Sequence, residues 1–187
     1  MIFLIFYFLV GTLNVISESS DLLWLNYITK PLLMPLLALY YHYYLKGAKA
    51  SKFIYLALFF SWLGDIFLMF PRDESSPNAK LLFICGLASF LIGHINYILH
   101  FVNEVKSNFK NTILVKSPYL ILPFILYIVV LLKLLYPTLG TMKIPVTIYA
   151  VVITCMLVST FNRKDFVNSI SYYYTIIGAI LFVISDS

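Results

Sequence analysis

Residues 61–70 read Ser61-Trp62-Leu63-Gly64-Asp65-Ile66-Phe67-Leu68-Met69-Phe70, and Asp65 is the only charge between Lys52 and Arg72. A carboxylate in such a run is unremarkable in water and expensive in lipid, so the solvent has to be decided first. The chain has 187 residues, 61% of them hydrophobic and 11% charged, with a mean hydropathy of +0.92. Soluble domains carry roughly 25% charged residues, so this composition does not cover a water-facing surface. Apolar runs of about 17–25 residues, enough to cross a bilayer, recur along nearly the whole length. Alternating strand patterns of the outer-membrane barrel type are missing. The fold class is all-α, a polytopic transmembrane helical bundle.

Seven spans are expected, at 2–16, 24–45, 53–70, 79–102, 118–136, 144–161 and 170–187, within a single integral membrane domain covering 1–187. Pro31, Pro35 and Pro123 fall inside spans, where neighbouring helices can tolerate a kink. Tyrosines crowd span ends, as in Tyr40-Tyr41-His42-Tyr43-Tyr44 and Tyr172-Tyr173-Tyr174, and read as interfacial belts. Cys85 and Cys155 lie in apolar spans without a CxxC spacing and read as small packing residues. The net charge of +5 suits basic cytoplasmic loops and does not suggest nucleic acid.

Orientation follows from Lys and Arg. Lys46, Lys49, Lys52, Lys106, Lys110, Lys116, Arg163 and Lys164 lie on one face, against Arg72, Lys80, Lys133 and Lys143 on the other. That distribution places the N-terminus in the cytoplasm. No basic n-region or cleavage site precedes the first span, and a bacterial inner membrane is preferred to an endomembrane. The last span ends at Ser185-Asp186-Ser187 without a polar flank, which suggests that a further helix follows.

Away from their ends, the spans hold few ionisable residues: Lys30, Asp65, His94 and Asp186. Each costs about 2.5–3.5 kcal/mol at mid-membrane on insertion scales. The simplest reading of any one of them is a polar clamp between helices. Depth adds information. At about 1.5 Å per residue, Lys30 and Asp65 lie roughly 9 and 8 Å from the outer ends of their spans, and Asp186 reaches a similar level. Tyr149 falls in that layer as well, whereas His94 sits deeper, roughly 22 Å in. Ser61, Gly64 and Asp65 share a helix face. Gly86, Ser89, Gly93 and Tyr97 form a stripe down span four, and Gly178 shares a face with Ser185. Such small residues allow close helix packing in lipid and would also wall a polar pocket.

These motifs, Ser61-x-x-Gly64-Asp65, Gly86…Phe90…Gly93-His94…Tyr97 and Gly178-Ala179…Ser185-Asp186, together with Thr29-Lys30-Pro31, resemble the YhhN family of integral membrane proteins, which includes the lysoplasmalogenases. The resemblance covers spans two to seven. It implies an eight-helix bundle that hydrolyses the vinyl-ether bond of a lysoplasmalogen to a fatty aldehyde and a glycerophospho-ethanolamine or -choline. It implies no cofactor or metal. The partners would be the lysophospholipid substrate and membrane lipid; nothing indicates the oligomeric state.

The residue types suit that chemistry. A vinyl ether is cleaved by protonating its β-carbon, and water then attacks the oxocarbenium ion. An acid that keeps its proton is needed, and burial or a neighbouring carboxylate favours one. Asp65 and Asp186 are the candidate catalytic pair, with Lys30, Ser61, Gly64, His94, Tyr97, Tyr149 and Ser185 binding or supporting. Two other classes fit the same residues. One is a metal-dependent lipid hydrolase with Asp65, His94 and Asp186 as ligands, although zinc sites usually hold more nitrogen or sulfur donors. The other is a small proton-coupled transporter relaying protons through the same pair.

Overall fold

The computed structural model describes residues 2–45, 50–70 and 77–186. Seven long helices account for most of them: α1 (Ile2–Ser19), α2 (Leu23–Tyr44), α3 (Lys52–Met69), α4 (Pro77–Val105), α6 (Leu122–Leu135), α7 (Lys143–Phe161) and α8 (Ser169–Ser185). A four-residue helix, α5 (Ile113–Lys116), and short 3-10 turns occupy the α4–α6 connection. No strand occurs among the described residues. An all-helical chain is what lipid demands, because each backbone N–H and C=O must be satisfied within its own segment.

Each expected span corresponds to a helix. Five stretches are long and apolar enough to cross a membrane, namely Ile2–Ser19, Lys52–Met69, Asn78–Lys116, Pro118–Leu135 and Gly140–Phe161. Helix α2 is long but diluted by Asn26, Thr29, Lys30 and His42, and α8 is apolar but 17 residues long. Pro123 is not at a kink; it lies in the first turn of α6, where a missing N–H is harmless. Lys46, Lys49, Arg72 and Ser187, which entered the reading of loops and span ends, lie outside the described residues.

The contacts divide the chain into two compact units, Met1–Gly93 and His94–Ser187. In the first, α1 packs on α2 and α2 on α3. Pro31 and Pro35 both interrupt α2. A proline at 35 has no N–H for the carbonyl of Pro31 four residues earlier. Trp62 on α3 supplies the missing donor, its indole Nε1 lying 2.8 Å from that carbonyl. Between α1 and α2, Asn14 Nδ2 donates to Thr29 Oγ1 at 3.0 Å, in buried surroundings.

Helices α3 and α4 approach closely where small residues face each other. A Cβ on Gly64 would lie 2.5 Å from the Phe90 ring, and one on Gly93 would lie 3.3 Å from the carbonyl of Ala57. The glycine spacing seen in the sequence is therefore a packing seam, as small residues in membrane helices predict.

In the second unit, α6 packs on α7 and α7 on α8. Helix α7 is its centre, burying Tyr149, Ile153, Thr154, Met156, Leu157 and Thr160, whereas α6 buries none of its residues. Asn168 caps α8, its Oδ1 accepting the Ile170 N–H at 2.8 Å, which satisfies one of the orphan donors of a helix start.

Candidate functional site

Helix α7 turns Tyr149 inward, and its hydroxyl donates to Asp186 Oδ2 at the end of α8. The Tyr149 hydroxyl oxygen also lies 3.2 Å from Nε2 of His94 on α4. The result is a chain of three side chains, His94–Tyr149–Asp186, from three helices of the second unit. His94 is 1% exposed. Phe182, one turn before Asp186, packs edge-on against the imidazole with ring centroids 5.1 Å apart. Asp186 follows the last residue of α8, so the chain runs from a sealed imidazole to a part-buried carboxyl at the helix terminus.

Proton positions follow from the donor inventory. Tyr149 has one proton, and while it points at Asp186 the phenol oxygen can only accept from His94, so Nε2 carries hydrogen. If Asp186 is protonated and donates to Tyr149, the phenol donates onward to a bare Nε2. The protonation state of Asp186 is thereby tied to the tautomer of His94.

The structure joins His94 to Asp186 through Tyr149. Counting residues from span ends set His94 apart from Asp186, yet Tyr149 bridges the two. Rise per residue takes no account of helix tilt or of the reach of a tyrosine side chain. Phe182 was not anticipated at all; its position one turn before Asp186 was the available signal.

The other candidates have local partners. Lys30 forms an ion pair with Glu18 of α1, Nζ to Oε1 3.6 Å, and Asn26 donates to the same oxygen at 3.2 Å. Ser61 is buried against Gly93 and Gly64 against Phe90. Asp65, next to Gly64, is half-buried on α3 in the first unit. Tyr97 stacks on Phe101, centroids 6.2 Å apart. Ser185 donates to the carbonyl of Phe182 in its own helix, at 2.9 Å. Among the described residues no group of three or more His, Cys, Asp or Glu is placed to hold a metal ion.

A second polar cluster was missed. Arg163, counted from the sequence among the basic residues of one membrane face, is 3% exposed. Its Nε donates to Glu104 Oε2 at 2.6 Å and its Nη2 to Glu104 Oε1 at 3.3 Å, with the guanidinium 4.8 Å over the Phe101 ring. His100 joins from one turn earlier, Nε2 to Glu104 Oε1 3.8 Å. The i, i+4 spacing of His100 and Glu104 was the legible part; their partner lies 59 residues further along.

A family model described as the YhhN family matches residues 25–187. Neither a curated protein nor a solved structure matches the chain.

Proposed function

The chain belongs to the YhhN family, and from that footing we propose that it is a membrane-embedded hydrolase of lysoplasmalogens. It would cleave the vinyl-ether bond to give a fatty aldehyde and a glycerophospho-ethanolamine or -choline, in a bacterial inner membrane with the N-terminus cytoplasmic. The observation that carries the reading is the His94–Tyr149–Asp186 chain. It links the carboxyl at the end of α8 to a sealed imidazole through a phenol that can pass hydrogen bonds in either direction.

In this reading Asp186 is the acid. Its proton goes to the β-carbon of the vinyl ether, leaving an oxocarbenium ion and a carboxylate that accepts the Tyr149 hydroxyl. Asp65 takes a proton from the attacking water as its oxygen bonds to the cationic carbon. The hemiacetal collapses to aldehyde and glycerol hydroxyl, and one proton returned from Asp65 to Asp186 through solvent closes the cycle. Lys30, steadied by Glu18, serves the substrate phosphate. General acid–base catalysis of this kind contributes typically 10²–10⁴-fold.

The test is to incubate the purified full-length protein with a 1-alkenyl-glycerophosphoethanolamine and measure aldehyde. Folded wild-type protein that releases none removes the substrate assignment. Asp65→Asn or Asp186→Asn variants with undiminished turnover remove that residue from the site.

A further inference from the structure

The α6–α7 hairpin of the second unit holds a groove of about 700 Å³ lined by Leu132, Lys133, Tyr136, Pro137, Lys143, Ile144, Thr147 and Ile148. Lys133 is in the last turn of α6 and Lys143 opens α7, so the reversal between them brings both ammonium groups to one end. The Lys143 Nζ lies 4.3 Å from the centroid of the Tyr136 ring, a cation–π contact. Among the described residues, neither lysine forms an ion pair. The rest of the lining is almost entirely hydrocarbon.

We infer that this groove binds an anionic membrane phospholipid, with the headgroup phosphate between Lys133 and Lys143 and an acyl chain along Leu132, Ile144 and Ile148. Lysines at helix ends commonly stretch toward the membrane surface, but here two from different helices converge on one apolar crevice. A purely apolar occupant makes no use of the two ammonium groups, and a small soluble anion leaves the hydrocarbon walls uncovered. A phospholipid with net negative charge answers both requirements. Helix α6 buries none of its residues, so the groove opens from the rim of the unit.

The site is separate from the hydrogen-bonded chain. Ile148 and Tyr149 are consecutive on α7, which sets them on the order of 100° apart around the helix. The groove and the Asp186 chain therefore use different faces of α7. An occupant of the groove is a bound lipid and not the molecule that meets Asp186, so the inference stands without the hydrolase reading.

Native mass spectrometry of the full chain, with dioleoyl phosphatidylglycerol or dioleoyl phosphatidylcholine supplied in equal amounts, tests it. Wild-type protein is expected to retain phosphatidylglycerol preferentially. Lys133→Gln/Lys143→Gln should weaken that retention about thirtyfold, since each interfacial cation contributes a factor of roughly five toward anionic lipid. Lys133→Arg/Lys143→Arg should keep it. Equal retention of the two lipids by wild type, or undiminished preference in the folded double-glutamine variant, overturns the proposal. So does binding of soluble glycerol 3-phosphate as tightly as phosphatidylglycerol. Should the double-glutamine variant fail to fold, Leu132→Trp fills the groove with both charges in place. Loss of retention in that variant supports the site, and full retention overturns it.

Discussion

The hydroxyl of Tyr149 donates to the carboxylate of Asp186 across the α7–α8 contact, and His94 touches the same oxygen from α4. One phenol therefore connects the carboxyl to the imidazole, and its removal should separate catalysis from folding. Tyr149→Phe keeps the ring and its burial. Aldehyde release is expected to fall by about 10²-fold or more, while stability drops by about 1–3 kcal/mol, since the buried His94 Nε2 loses its Tyr149 partner. Parallel turnover and thermal-unfolding measurements check this; a variant with full turnover would detach Tyr149 from the reaction.

Gly64 faces Phe90 so closely that an added Cβ would lie 2.5 Å from the ring. Gly64→Ala should destabilise the first unit by about 1–3 kcal/mol, as overpacking generally does. In the double variant Gly64→Ala/Phe90→Leu the smaller side chain makes room, so the combined loss should be less than the sum of the two single losses. Additive losses in unfolding experiments would show that the seam is looser than its geometry indicates.

The Arg163–Glu104 pair holds a guanidinium whose side chain is 4% exposed. Glu104→Gln removes the countercharge and strands the cation, which should cost about 3 kcal/mol or more. Replacing both partners with methionine should recover most of that loss, because a buried pair replaced as a unit is often neutral. Thermal unfolding of the single and the double variant in the same detergent distinguishes a buried clamp from a dispensable contact.

Trp62 and Pro35 form a testable couple. Trp62→Phe leaves the Pro31 carbonyl without the indole donor and should lower stability by about 1–3 kcal/mol. Pro35→Ala restores a backbone N–H able to bond that carbonyl. Trp62→Phe is then expected to cost less in the Pro35→Ala background than alone, measured as a double-mutant cycle.

The helices were legible in the sequence because lipid imposes a simple rule, that apolar runs of spanning length become helices. The boundaries of α3 and α7 fall within one residue of those expected. The face shared by Ser61 and Gly64 was legible for the same reason, since helical periodicity fixes which residues meet a neighbour. Partners across helices were less so. His94 was set apart from Asp186 by a depth count that treats each span as an upright rod, and Arg163 entered only a count of basic residues because charge statistics do not reveal a carboxylate on another helix. Glu18, which takes Lys30, lies on another helix and gives no such signal in the sequence.

Helix α2 is diluted by polar residues and is not among the stretches long and apolar enough to cross a membrane by composition. It carries a lysine satisfied by α1 and a backbone carbonyl satisfied by α3. A nascent chain emerging at an insertion machinery gains neither partner until the flanking helices are present. Its insertion is therefore a cooperative event in which α1 waits and α3 completes the set. A substitution at Trp62 or Glu18 would first register as a defect in biogenesis, with α2 exposed to quality-control proteases before any lipid is turned over.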